Sequence, residues 1–479
     1  MRRLILNTLR NLGIIKNRDI QPYNEVPRDR FLKAIRHPWV RRKLMYVSME
    51  QDEEGSHYHG ILNTLSNDCV GPSPLLIGGA SDPDVNTNIE DKWVQFCQET
   101  GLGASIRLLR REAARTGVGI GIPFVMVNTE HEVKLGLRVI SADKLQNPVG
   151  KGALERVWEG IEYSENWEPI RIYLDTGEEY DVRDIILWWK NKYANMICGI
   201  PECSPALCIF PSVKRYLDSI IRSAEFRSAI PMAIKLDPTV WGKEDAEGMP
   251  TGKWEYEPGM VPTLPPGATL EGLSYSGTTA EDAEALDAMV GAAARCINMP
   301  VNLATGNSRQ YNMASSQVDF GPWKNTINID REDFAPVVHR MVKLWFTAGA
   351  LTKNYFQDKT LRFVKEEGLT YTLSYSQVFN HPDPQKISNS TATDLQTGAT
   401  TLVRYYTERG RNPRREIQRE ADLLEIDYSD MCKILTLGRV SAASSLMQVE
   451  PEDDSEDDTE DDSTDQDTTQ NSSKRKKRS

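Results

Sequence analysis

One stretch of the chain combines many hydrogen-bonding side chains with almost no charge. Between Arg295 and Asp319 the only charged side chain belongs to Arg309. From residue 307 to 317 the other polar residues carry amides or hydroxyls: Asn307, Ser308, Gln310, Tyr311, Asn312, Ser315, Ser316 and Gln317. A long polar loop inside a compact chain is usually functional. We therefore predict a functional loop over residues 299–318.

A second stretch has the opposite character, because it is strongly acidic. Residues 237–278 hold seven acidic side chains against two lysines, a net charge of −5. The acidic residues considered for contact with a partner are Glu244, Asp245, Glu247, Glu255 and Glu257. Such a surface repels DNA and attracts a basic protein surface. This segment is also rich in proline and glycine, which predicts short strands and tight turns.

Patterns that could hold a metal, a nucleotide or a reaction are weak. Cysteines recur at positions 198, 203 and 208, without a Cys-x-x-Cys pair or a nearby histidine, so small buried side chains are the favoured interpretation. His57 and His59 lack a third ligand. Gly117, Gly119 and Gly121 follow a predicted helix, whereas a phosphate loop follows a strand, so they indicate a helix-to-strand turn. Without a catalytic motif, we expect no enzyme activity, metal or cofactor.

Length and net charge limit the number of subdomains and the class of protein. The 479 residues exceed one typical core, so two to four subdomains are expected. Of the formal net charge of −12, the acidic tail with its basic end contributes −7 and the rest −5. A body this mildly acidic does not favour a protein that grips nucleic acid through phosphates. The alternative of a monomeric nucleic-acid-binding protein rests on the arginines and lysines of residues 1–60.

Cysteine usage and hydropathy exclude two further classes. Seven cysteines, an odd number without a secretory signal, predict reduced thiols and no disulfide framework. No apolar run reaches the roughly 18 residues that a membrane span needs, so we expect no membrane insertion.

Periodicity predicts the helices that position the two segments. The spacing of Thr278 and Glu281 is that of a capping box, and a helix should run to about residue 298. Another is expected over 204–229, kinked or restarted at Pro211, and a long one from about Asp319 to Gly349, kinked near residue 335 by Pro336. Further helices are predicted at 91–100, 105–115 and 385–437, the last broken at 410–413.

Alternating residues predict strands between these helices. The expected strands lie near 120–127, 133–139, 158–162, 169–174, 185–189, 232–236, 360–364 and 370–375. The fold class is therefore α+β. Residues 446–479 form a low-complexity acidic tail with a basic end, which predicts disorder.

The order of these motifs resembles the lambda-type portal proteins of tailed bacteriophages. The resemblance is carried by EPGMVPTLPPGATLE, LDAMVGAAARCINMPVNLATGN and NMASSQ, and by EGIEYSENWEPIRIYL, IPECSPAL and the run from DPQKIS to RGRNP. It covers roughly residues 60–435. The chain departs from the family pattern at Asn307, Met313 and Gln317, where the family has Asp, Tyr and Arg.

This resemblance implies a subunit with a mixed wing, a helical stem, a small α/β clip and a helical crown, assembling as a ring. The expected divisions are a basic arm (1–24), wing (25–203 and 319–383), stem helices (204–230 and 279–298), clip (231–278), tunnel loop (299–318), crown (384–445) and acidic tail (446–479). The second wing segment would include the long kinked helix.

The resemblance also implies the function. A ring, typically of 12 subunits, would stand at a capsid vertex of the virion after assembly in the host cytoplasm. Double-stranded DNA would pass through it during packaging and ejection, while terminase, a head-tail adaptor and capsid or scaffold protein dock on it. The residues from Asn307 to Gln317 would then line the channel, and the acidic clip would dock a basic partner.

Overall fold

The chain is built from helices and small antiparallel sheets, in agreement with the predicted α+β class. A computed structural model describes residues 38–127, 129–148, 156–194, 196–229, 232–236, 268–272, 280–307, 313–376, 378, 384–409 and 411–435. The chain divides into two compact units. The first comprises residues 1–382 and 403–413, and the second comprises residues 383–402 and 414–479.

Four helices open the described part of the first unit: α1 (Pro38–Glu54), α2 (Ser56–Val70), α3 (Pro83–Thr100) and α4 (Leu102–Thr116). Helix α4 ends at Gly117, whose φ of 92° is in the left-handed region that glycine favours. A Cβ at this position would lie 2.6 Å from the Ile200 backbone. The predicted helix-to-strand turn is thus confirmed, and only glycine fits it.

Antiparallel strands follow these helices. One sheet has the order β3 (Leu135–Ile140), β2 (Gly119–Val125), β8 (Ile186–Trp188). A second sheet is formed by β4 (Val157–Trp158), β5 (Ile161–Tyr163), β6 (Pro169–Tyr173) and β7 (Glu179–Asp181) in that order. Strands β9 (Met232–Leu236) and β10 (Ala268–Gly272) pair with each other, and β1 (Leu75–Gly78) pairs with β11 (Tyr371–Ser374). The last pairing joins parts of the chain that are far apart in sequence.

The later helices of the first unit include those on either side of the residues predicted as the tunnel loop. They are α5 (Phe210–Ala229), α6 (Ala280–Ala294), α7 (Val301–Thr305), α8 (Met313–Leu351) and α9 (Asp358–Glu367). Pro211 lies in the first turn of α5, after a separate 3-10 turn at Ser204–Ala206, so the predicted restart is confirmed. Pro322 and Pro336 both lie inside α8, and the kink near residue 335 stays a prediction.

Three apolar clusters form the core of the first unit. The first packs α3 and α4 against β3 and the C-terminal half of α8, with Trp93 and Trp345 at its centre. Their rings meet edge to face at 5.1 Å. The second joins α2, α5, α6 and the start of α8. The third lies between α1 and the strands β2, β5 and β6.

The second unit is helical where it is described. Helices α10 (Pro384–Thr397) and α12 (Pro413–Leu423) fall largely in it, and residues 428–435 are also helical. Between α10 and α12, α11 (Leu402–Glu408) begins at the boundary with the first unit. The predicted break before residue 413 separates α11 from α12.

Two sequence predictions are wrong. The segment 360–364 was expected to be a strand but lies within α9, because Leu361 and Val364 pack one helical turn apart on the first core. Residues 299–318 were expected to be one loop, yet α7 begins directly after Pro300 and α8 begins at Met313 rather than near Asp319. Packing of Trp323 in the second core outweighs the helix-breaking tendency of Pro322.

Candidate functional site

The predicted channel-lining residues divide between the connection from α7 to α8, residues 306–312, and the first turns of α8. Asn307 follows α7, and its backbone N–H donates to Thr305 Oγ1 at 3.3 Å. Ser315, Ser316 and Gln317 have helical backbone within α8, which corrects the loop prediction for these three. Residues 308–312 lie outside the described residues, as do the acidic candidates of the predicted clip: Glu244, Asp245, Glu247, Glu255 and Glu257.

Both ends of this connection are anchored in the second apolar cluster, which we call the loop base. It contains buried residues from α6, the turn after it, α7 and α8: Val290, Ala293, Ala294, Ile297, Met299, Ala304, Trp323 and Ile327. These pack on α2 and on the start of α5 through Tyr58, Ile61, Leu62, Leu65, Phe210 and Val213. Apolar burial therefore holds the elements on both sides of the connection.

The turn from α6 to α7 is sharply defined. After the 3-10 turn Arg295–Ile297, Asn298 adopts the left-handed conformation with φ of 58°, which asparagine tolerates better than most residues. Helix α7 then passes close to α6, because a Cβ at Gly291 would lie 2.6 Å from Val301 Cγ2. Asn302, which is 6% exposed, is buried here beside the loop.

Trp323 fixes the position of α8 at the loop base. Its side chain is fully buried, and its Nε1 donates to Asp68 Oδ2 near the end of α2 at 2.9 Å. Two turns further along α8, Arg331 donates to the carbonyls of Asp68 and Cys69 at 2.7 and 3.0 Å. The end of α2 is thus hydrogen-bonded to α8 at two positions, Trp323 and Arg331.

Helices α5 and α6, predicted as the stem, lie side by side. Val213 of α5 and Val290 of α6 share the loop base. Farther from it, Tyr216 Oη donates to Asp282 Oδ1 at 2.7 Å. On the exposed side of α5, Lys214 Nζ lies 2.6 Å from Glu54 Oε2 of α1. An apolar contact and a polar contact together set the pairing of the two helices.

A buried group of charges, which we call the charged junction, consists of Arg110, Lys190, Glu202 and Asp330. Arg110 is fully buried, and its Nε and Nη2 donate to Asp330 Oδ2 at 2.9 and 2.7 Å. Its Nη1 donates to Glu202 Oε1 at 2.6 Å. Lys190 Nζ reaches the other oxygen of Asp330 at 2.8 Å. The junction links α4, the segment ahead of α5, and α8.

The electrostatics of the junction keep Asp330 ionised. Burial alone would raise the pKa of Asp330, but attraction to Arg110 and Lys190 outweighs it and lowers the pKa to about 2. Two cations and two carboxylates balance within the group, so no buried charge is left without a counterion. Such a group fixes orientation well, because a shift of any one element would separate charges in a dry environment.

The sequence did signal this junction, although the patterns above do not single it out. The buried face of α8 runs through Trp323, Ile327, Phe334, Val337, Val338, Met341 and Trp345. Asp330 falls on the same helical stripe, three residues after Ile327 and four before Phe334. An acidic residue in the middle of an apolar stripe indicates a buried partner of opposite charge.

The cysteines and histidines that form weak metal-ligand patterns contact other side chains in the structure. Arg41 donates to Cys198 Sγ at 3.3 Å, and His59 Nδ1 lies 3.0 Å from Asp52 Oδ1. Cys203 is buried and Cys208 is exposed. Over the described ranges, no group of three metal-binding side chains forms, and no helix has both the length and the apolar content to cross a membrane.

The sequence of this chain also matches a known family. The model of the phage portal protein, lambda family, matches residues 41–323, which is more than half of the 479 residues. The chain belongs to this family. The matched region of the portal family reaches from α1 to Trp323, so it includes both predicted stem helices, the whole predicted tunnel loop and the buried residues of the loop base other than Ile327. The resemblance inferred from the sequence motifs is confirmed.

Solved structures show weaker similarity. A chain in the virion of a native gene transfer agent particle has 13% identity and a TM-score of 0.35, covering 68% of this chain and 94% of that chain. A chain in the neck of that native particle, computed with C12 symmetry, has 13% identity and a TM-score of 0.34, with the same coverage. A comparison with curated proteins gave no match. The family assignment rests on the sequence match.

Proposed function

We propose that this portal protein forms a ring-shaped channel at a capsid vertex of a phage-like virion, through which double-stranded DNA is packaged and ejected. The ring, expected to contain 12 subunits, is assembled in the host cytoplasm. The observation that carries the proposal is the match of the lambda portal family to residues 41–323, which includes the predicted stem and tunnel loop. Portal proteins of this family are structural, and the chain is proposed to act without catalysis.

The loop composition supports passage of DNA. A channel that lets DNA slide should not neutralise many phosphates, because each fixed cation that displaces counterions strengthens binding. Between Arg295 and Asp319 each subunit contributes a single cation, Arg309. The remaining polar residues offer neutral hydrogen bonds that form and break along the phosphate backbone. Residues Asn307–Gln317 are accordingly proposed to touch DNA weakly.

The loop base supports this role mechanically. A channel lining must keep its position while DNA moves past it. The connection leaves buried apolar packing at Ala304 and enters α8, which is packed again at Trp323. Only the residues between Ala304 and Trp323 are proposed to move when DNA passes.

A packaging assay tests the loop. Arg309→Ala combined with Asn312→Ala is expected to change DNA packaging or the retention of packaged DNA, measured as protected DNA per particle. The matched control is Arg404→Ala, which removes an exposed arginine paired with Glu408 in α11. If the loop variant packages and retains DNA like the wild type, these residues do not contact the DNA.

The acidic clip is proposed to dock a basic surface of terminase or of the head-tail adaptor. Charge reversal of Glu244, Asp245 and Glu247 to lysine is expected to weaken that docking at low salt, and the loss should shrink as salt is raised. The matched control reverses three acidic residues of the C-terminal tail: Asp453, Asp454 and Glu456. An unaltered binding curve at low salt contradicts the docking role.

A further inference from the structure

An open cavity lies where α2, α4 and α8 meet. Its volume is about 440 Å³, a size typical of sites for small molecules. It is lined by the end of α2, the turn after it, one side chain each from α4 and α8, and residues that follow β11. The polar side chains in this lining are Asn67, Asp68, Arg107, Arg331 and Ser376. All of them belong to the first unit.

Backbone carbonyls hold both arginines of the cavity in place. Arg107 Nη1 donates to the carbonyl oxygens of Gly71 and Pro72 at 2.7 and 2.6 Å. Arg331 Nη2 donates to the carbonyl of Ser376 at 2.8 Å, in addition to the bonds that Arg331 makes to the end of α2. Because these guanidinium groups are already positioned, little side-chain entropy remains to be lost when a ligand binds.

The two positive charges at the cavity lack ion-pair partners. Arg110, farther along α4, bonds two carboxylates, whereas neither Arg107 nor Arg331 forms a salt bridge with any carboxylate that the structure describes. Asp68 is the single acidic residue in the lining, which leaves a formal charge of +1. Burial lowers the pKa of Arg331, so its surroundings do not fully compensate the positive charge.

The remaining hydrogen-bond donors suit a tetrahedral anion. Within the described part of the chain, Arg107 Nε and Nη2 and Arg331 Nη1 have no acceptor. The Ser376 hydroxyl and the Asn67 amide add neutral donors to the same lining. Two guanidinium groups from different helices can bond different oxygens of one phosphate, and such charge-assisted bonds are strong.

We propose that this cavity binds a phosphate group between Arg107 and Arg331. The phosphate belongs either to a small phosphate ester or to the backbone of DNA, since both carry the same oxyanion. When bound, it bridges α4 and α8 and compensates the charge of both arginines. The site is formed within one chain, so the proposal holds whether or not the chain forms a ring.

Isothermal titration calorimetry of the purified full chain with inorganic phosphate, in a chloride buffer of fixed ionic strength, tests the site. We expect one phosphate per chain, and Arg107→Gln should weaken the affinity about tenfold or more. The matched control is Arg183→Gln, because the Arg183 side chain is 91% exposed and distant from the cavity lining. The proposal is wrong if the wild type binds no phosphate at millimolar concentration, or if Arg107→Gln binds it equally well.

A second variant separates charge from structural damage. Asp68→Asn removes the negative charge of the lining and keeps an amide oxygen that can accept from the Trp323 indole. Phosphate should therefore bind several-fold more tightly to Asp68→Asn than to the wild type. Weaker binding in both Arg107→Gln and Asp68→Asn would show that these variants act through the fold, and would overturn the proposal.

Competition identifies the source of the phosphate. Ribose 5-phosphate and a short DNA duplex with hydroxyl ends are each added to the chain saturated with inorganic phosphate. Displacement by ribose 5-phosphate alone assigns the cavity to a small ester, and displacement by the duplex assigns it to the DNA backbone. If neither compound displaces phosphate, the cavity does not recognise a phosphate group as proposed.

Discussion

The loop base and the charged junction hold the same helix by different means. At Trp323 and Ile327, α8 is held by apolar packing with one neutral hydrogen-bond donor, the Trp323 indole. At Asp330, one turn later, it is held by ion pairs with Arg110 and Lys190. Both regions are buried, and both join α8 to helices that precede it in the chain.

The two regions contribute differently to the fold: apolar packing stabilises the position of α8, and the ion pairs set its orientation. Apolar packing stabilises roughly in proportion to the buried area and tolerates small shifts. A buried ion group adds little net stability. Removal of one member nevertheless lowers the free energy of unfolding strongly, because its partners remain charged and buried without a counterion. The loop base therefore supplies most of the free energy that holds α8, and the charged junction sets its register against α4.

The largest effect is expected at the charged junction. Arg110→Met should lower the free energy of unfolding by about 4–5 kcal/mol, because Asp330 and Glu202 lose their shared counterion. Urea unfolding at fixed protein concentration measures the loss. Arg138→Met is the matched control, since Arg138 is exposed and lies 3.9 Å from Glu178, and it should cost less than about 0.5 kcal/mol. Equal losses in the two variants would contradict a special role for the junction.

At the loop base, truncation of the Trp323 side chain should lower the free energy of unfolding nearly as much. Trp323→Ala is expected to cost about 3–4 kcal/mol by urea unfolding, because it opens a cavity where the indole is fully buried. Trp323→Phe keeps most of the packing and loses the hydrogen bond to Asp68, so about 1–2 kcal/mol is expected. If both variants lose the same amount, the hydrogen bond rather than packing holds α8 here.

Acid should weaken the charged junction but not the loop base. The pKa of Asp330 in the folded chain, about 2, is below its ordinary value of 3.8. Its contribution is therefore complete above about pH 4 and is lost as the pH falls toward 2, with a total of about 2 kcal/mol. The stability difference between wild type and Asp330→Asn should shrink over this range. Asp175→Asn, which removes an exposed partner of Lys144, should show little difference at any pH.

The smallest effect is expected in the turn between α6 and α7. Asn298→Gly should change the free energy of unfolding by less than about 0.5 kcal/mol, because glycine also adopts the left-handed conformation. Asn298→Ala should cost about 1 kcal/mol through backbone strain. Thr326→Val and Asn298→Ala both remove the 3.4 Å hydrogen bond from Asn298 to Thr326 Oγ1, so the difference between them isolates the backbone strain. Equal losses in the two variants would show that the side chain, rather than the backbone, defines the turn.

Sequence periodicity predicted the helices around the site well, because their apolar faces are long. Phe334, Val337, Val338 and Met341 mark the buried face of α8 by spacing alone. The predicted start of α8, near Asp319, is six residues too late, because the polar and nearly uncharged residues 307–317 are typical of a loop, whereas the helix begins at Met313. Segment 360–364 was misassigned because five residues are too few to distinguish periods of two and 3.6.

Contacts between distant segments could not be predicted in the same way. The charged junction joins Arg110, Glu202 and Asp330, and nothing local in their sequence neighbourhoods specifies that the three meet. Spacing predicts which residues share a face, but tertiary packing decides which faces meet.

Negative-stain electron microscopy of the purified full-length chain tests the proposed channel most directly. We expect class averages of closed rings with a central hole, with mass photometry giving a single multiple of the chain mass near 12 subunits. A homogeneous population of compact monomers, unchanged at high protein concentration and low salt, would contradict the proposal that this portal protein assembles into a channel.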